Sequence, residues 1–272
     1  MIEVVAALSD PGRADKANED GFGASGRFAW VIDGATGLGE DALLPAPSDA
    51  AWLTGVLDEA LREGVEATSD PFDLLSAAAA RAEARFLAER RRPPAVRYEV
   101  PTAAVLVARF GEVVDIVELG DCAVWIEADG ATLRRGGTEE GRAREAANAR
   151  SMMASGGGRN AEVVAFLRTV RNLANTDDGY SIFAPDADCT RRARRHRVEA
   201  TSGEALFLTD GFEAAIDDYG LHTGATLLSA ARDDLAGARD ALRAVERTDP
   251  DCTRYPRFKP SDDATALLVR FG

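Results

Sequence analysis

The sequence is poor in the residues that most often build metal and nucleophile sites. Only two histidines occur among its 272 residues, His196 and His222. A histidine-built metal centre is therefore excluded. A serine or cysteine triad would have to use one of the two, and neither lies near a nucleophile-elbow sequence. The three cysteines, Cys122, Cys189 and Cys252, are odd in number and far apart. They suit neither a disulfide framework nor a thiolate zinc site, so a reducing, cytosolic (cytoplasmic) setting is expected. Basic excess is also missing. The formal net charge is −14, which argues against nucleic acid as the main partner, because phosphate backbones demand a basic face. No apolar run approaches the length of a membrane span, and the opening MIEVVAALSDPGR has no basic n-region. No membrane association is expected.

Hydrophobic residues make up 46% of the chain and charged residues 29%, enough apolar material for a sizeable core. Ile2 to Leu8 and Phe28 to Ile32 are strand-like runs. A helical stretch follows from about Ser48, with Leu53, Val56, Leu57, Ala60 and Leu61 on one face. Asp70-Pro71 resembles an N-cap with proline at the first helical position, and Pro93-Pro94 stops the helix behind it. Three further strands are expected over Ala103 to Phe110, Val113 to Leu119 and Ala123 to Ala128, with Gly111-Glu112 as a hairpin turn. From about Gly136 to Ser202 the composition turns to arginine, alanine and glycine, with one amphipathic helix (Val163, Phe166, Leu167, Val170, Leu173). This stretch reads as a subdomain inserted between core strands. Glu204 to Thr209 and Ala264 to Phe271 are strands on either side of a helix over about Thr223 to Arg247. Strands in runs, then helices, then strands point to α+β layers.

The chemistry lies in where aspartates fall. Asp33 follows FAWVI, Asp121 follows DIVELG, Asp210 follows EALFLT, and Asp262 precedes ATALLV. Acids at the ends of neighbouring strands would crowd one sheet edge and repel each other. A divalent cation offsets that repulsion, and an all-oxygen donor set favours Mg²⁺ or Mn²⁺. Gly34 and Gly211 follow two of these aspartates and allow close approach of backbone or ligand. A single Asp-Gly is most simply a turn; four strand-end aspartates in one chain form a pattern.

With these segments the sequence resembles the PPM-type (type 2C) metal-dependent serine/threonine phosphatases in a bacterial form. The matching segments stand in the family's order: NED at 18–20, VIDG at 31–34, LGD at 119–121, LTDG at 208–211 and SDDAT at 261–265. The resemblance implies a single domain over 1–272, an α-β-β-α sandwich with two central mixed or antiparallel sheets, and a flap at about 136–202. It implies that Asp33 bridges two metals and that the Gly34 carbonyl is a ligand of the first. Asp210 and Asp262 would hold the second, and Asp121 with Asp210 a third. Glu19 is expected to act through metal-bound water, so that Asp33, Asp210 and Glu19 carry catalysis. Arg13 and Lys16 stand, at altered spacing, where relatives carry a phosphate-gripping arginine. Ala35 replaces a histidine general acid, Cys122-Ala123 a serine and arginine, and Pro101-Thr102-Ala103 a glycine-serine-threonine turn.

The implied activity is hydrolysis of phosphoserine or phosphothreonine in proteins by a metal-activated water. Two other readings stay open: a non-catalytic binding or regulatory module on the same fold, and a phosphatase for a small phosphorylated metabolite. The basic run RRARRHR at 191–197 reads as a solvated flap face that balances nearby acids. Trp30, Trp52 and Trp125 read as core, Cys122 as a buried small residue, and SGGG at 155–158 as a loop lacking P-loop context.

Overall fold

A computed structural model describes residues 1–137, 147–148 and 161–272. Among the described residues, ten strands form two five-stranded sheets in which every neighbouring pair is antiparallel. One sheet has the order β1 (Ile2–Asp10), β10 (Ala264–Phe271), β9 (Gly203–Leu208), β6 (Ala123–Ala128), β7 (Ala131–Gly136). The other runs β2 (Asp20–Ser25), β3 (Phe28–Ala35), β4 (Thr102–Phe110), β5 (Val114–Leu119), β8 (Arg194–Val198).

The two-residue period of each strand sorts its side chains between layers. Ala29 and Val31 of β3 meet Phe207 of β9 and Leu267 of β10 in an apolar layer between the sheets. The alternate residues Trp30 and Ile32 face helices α1 (Asp49–Gly64) and α2 (Pro71–Glu89). On the opposite side, Leu206 of β9 and Leu268 of β10 pack against α4 (Asp210–Asp217) and α5 (Gly224–Thr248). The result is an α-β-β-α sandwich with three apolar layers. Ser48 caps α1 by accepting from the Ala51 amide. Asp70 caps α2, which opens on Pro71, and Thr223 caps α5. No helix among the described residues is long and apolar enough to cross a membrane.

Three strands escaped the sequence reading. β2 is glycine-rich, β7 is only partly buried, and β8 is the basic run Arg194–Val198. The segment 136–202, expected to be an insertion, therefore gives its last strand to the core sheet. Its helix is α3 (Ala161–Arg171). Phe183, fully buried, pairs its backbone with Ala103, and the Ser76 hydroxyl of α2 donates to Thr190 at 3.2 Å. Ser155 to Gly158 lies outside the described residues.

Candidate metal centre

The carboxylates gather where the layer between the sheets ends. Asp33 has the parity of Val31 and so points into that layer; its cross-strand partner Asp20 lies on the same face. From the other sheet, Asp210 follows β9 and opens α4, and Asp262 directly precedes β10. Asp121 occupies the short crossing from β5 to β6, which carries the chain from one sheet to the other. Gly120 makes that crossing possible: its φ is +92°, and a Cβ there would lie 2.4 Å from the Ala104 side chain.

Burial and mutual repulsion act on every member. Burial, then the charges of Asp210, Asp20 and Asp262, push the Asp33 carboxyl well above the usual carboxylate range. Asp20 is raised by burial and by Asp262 and Asp210, against hydrogen bonds that include the Thr209 hydroxyl at 2.9 Å. Burial and Asp121 raise Asp210. Burial raises Asp121, joined by Glu213 and Asp262 and opposed by Arg194. Burial also takes Asp262 up to about 6, although Lys259 pulls it back.

Two contacts draw the cluster together. Asp33 and Asp210 are within hydrogen-bonding reach of each other, and Lys259 forms an ion pair with Asp262. Among the described residues, no group of three or more histidine, cysteine, aspartate or glutamate side chains is already drawn into a metal cage. The donor set nevertheless fits a hard divalent ion: these are neighbouring aspartates, lifted by burial and repulsion, with a cation already drawn to them.

The expected residues fall into two groups. Asp33, Asp121, Asp210 and Asp262 come together. Glu19 lies beside them, buried, with its carboxylate accepting from the Thr36 hydroxyl at 2.6 Å. The acid of NED that faces Asp33, Asp210 and Asp262 is Asp20, which the sequence reading passed over. Gly34 sits in β3, its amide donating to the Glu19 carbonyl at 3.1 Å. Asp263 is a clasp: its carboxylate accepts from the Gly12 amide at 2.8 Å and the Glu19 amide at 2.7 Å.

Arg13 and Lys16 line a cleft of about 670 Å³ that also touches Glu19, Asp262 and Lys259. Arg13 spends its guanidinium on exposed Asp15, 2.9 Å from Nε. Lys259 was missed by the sequence reading, although a signal existed: the chain has only two lysines, Lys16 and Lys259, and both line this cleft. Cys122 is buried and its thiol is pushed well up by burial and the nearby aspartates, which leaves it inert.

No protein-family model and no curated protein matches the sequence. Solved structures are similar over nearly their full length. The serine/threonine phosphatase PstP/Ppp of Mycobacterium tuberculosis aligns at 15% identity and TM-score 0.59, covering 99% of this chain and 98% of that one. The PPM Ser-Thr phosphatase MsPP of Mycobacterium smegmatis, in complex with cacodylate, aligns at 16% and 0.56, covering 98% and 97%. PstP in complex with two manganese ions aligns at 15% and 0.54, covering 99% and 97%. The fold is therefore that of the PPM-type serine/threonine phosphatases.

Proposed function

We propose that this chain is a metal-dependent phosphatase that hydrolyses phosphoserine and phosphothreonine in proteins. One observation carries the reading: two sheets bring Asp20, Asp33, Asp121, Asp210 and Asp262 to one end of the sandwich, beside a cleft carrying cationic side chains. The manganese in the PstP complex supports the same donor chemistry. Asp33 with Gly34, and Asp210 with Asp262, would hold two Mg²⁺ or Mn²⁺ ions, and Asp121 with Asp210 a third. Bound there, the ions would supply a more acidic water and positive charge against the phosphate oxygens.

The chain's own groups orient the rest. The Thr209 hydroxyl fixes Asp20. Asp263 ties the loop after β1 to the start of β10, so the acids of both sheets keep their relative places. Arg13, Lys16 and Lys259 draw an anionic ester into the cleft. Among the described residues neither histidine lines that cleft, and Ala35 offers no proton. Esters with a stable leaving group should therefore be cleaved fastest.

The test is hydrolysis of an aryl phosphate by purified protein with Mn²⁺ or with chelator, beside Asp210→Asn. Turnover that needs the ion and falls by at least about 100-fold in the variant supports the reading. A folded protein inert with both Mn²⁺ and Mg²⁺ overturns it. That outcome would favour a non-catalytic module, the reading to which Ala35, in place of a proton donor, already leans. Phosphopeptides turned over faster than phosphorylated metabolites would confirm the substrate class.

A further inference from the structure

Five clustered carboxylates need counter-charge, and among the described residues Arg194 and Lys259 supply it. Arg194 is committed elsewhere, with Nε 2.7 Å from Glu118 and Nη2 2.7 Å from the Gly120 carbonyl. Lys259 is different. It forms an ion pair with Asp262 three residues along. Its side chain keeps 42% exposure at the wall of the cleft.

The loop that presents it is pinned. The Asp249 carboxylate accepts from the amides of Thr253, Arg254 and Tyr255 and from Arg257. Arg257 Nε donates to the Pro260 carbonyl at 3.0 Å. Chain on both sides of residue 259 is thus drawn back, and Lys259 projects from a fixed base. Its flexible stem and point charge suit exchange between partners. An arginine would fork onto the Asp262 carboxylate and stay.

We propose that Lys259 is a tethered cation that holds Asp262 in the metal-free protein, competes with divalent ions for it, and once displaced binds the substrate phosphate in the cleft. This rests on the metal-dependent reading above. It assigns the role sought in Arg13 to a residue from the opposite end of the chain. It also makes metal loading and phosphate capture one exchange: the ion that takes Asp262 frees the charge that meets the anion.

Calorimetry separates the claims without turnover. Mn²⁺ is titrated into chelator-stripped wild type, Lys259→Gln, Lys259→Met and Lys259→Arg, and inorganic phosphate into the same proteins saturated with Mg²⁺. Removing the competing charge should tighten Mn²⁺ binding about tenfold in both neutral variants, while Lys259→Arg binds no tighter than wild type. Phosphate should bind at least about fivefold more weakly to the neutral variants. Mn²⁺ affinity unchanged or weakened by Lys259→Gln and Lys259→Met overturns the competition, and unchanged phosphate affinity overturns the capture. Absence of ion binding in every protein overturns both together with the metal-dependent reading, whereas normal binding that ignores Lys259 overturns the inference alone.

Discussion

Side-chain parity and clearance decide what the acids of this site do. NED offers two carboxylates in succession, and the motif alone does not choose between them. Pairing does: Asp20 stands opposite Asp33 and shares its face, while Glu19 turns to Thr36. The sequence shows which segments hold the site, but the choice within a segment needs the register of a partner strand more than ten residues away. Gly34 illustrates the same limit. The expectation was room for a ligand, and the structure adds a steric demand from the chain itself. A Cβ at position 34 would lie 2.4 Å from the Glu19 carbonyl, which also accepts from Thr54 at 2.7 Å. Gly34→Ala must push β2 away from β3 at the point where Asp20 meets Asp33. We expect a loss of roughly 2 kcal/mol in denaturant unfolding and weaker Mn²⁺ binding by calorimetry. An alanine variant with unchanged stability would show that the strands part there freely.

The element that sequence reading misjudged most is β8. Five residues, RRHRV, look like a solvated basic face because four of them are basic. Their two-residue period was masked by that uniform charge. In the sheet, Arg194 and His196 share a face and meet Glu118 at 2.7 and 2.9 Å, while Arg195 turns the other way to Asp70 at 2.7 Å. Glu118 is only 2% exposed and also accepts from the Gly137 amide of the opposite sheet's edge at 3.1 Å. One buried acid thus fastens an edge strand, and through Arg194 it steadies the Gly120 carbonyl beside Asp121. Glu118→Ala leaves Arg194, His196 and the Gly137 amide without their shared acceptor and should cost about 1–2 kcal/mol. Hydrogen exchange should then rise over 194–198 first, with the amides of β4 still protected. Uniform exchange across the sheet would mean that β8 is held by its backbone pairing alone.

At the scale of the molecule, stability and function pull the carboxylate cluster in opposite directions. Strand and helix periodicity pointed to α+β layers, the family resemblance implied the four-layer sandwich, and the structure has three apolar layers between them. The acids close one end of the inter-sheet layer at a cost, since burial and neighbours raise Asp33 well above the carboxylate range. A charge that is unfavourable in the folded state is one the fold would gain by losing. Asp33→Asn should therefore raise the melting temperature of the chelator-treated protein, while abolishing the rise that Mn²⁺ produces in wild type. Bound at about 100 times its dissociation constant, an ion adds about 2.7 kcal/mol, or roughly 5–10 °C for a domain of this size. Thermal unfolding with and without Mn²⁺ reads both effects in one experiment. If Asp33→Asn melts lower than wild type in chelator, the carboxylates repay their burial through protons and Lys259 alone, and the cluster is a structural element of the apo fold.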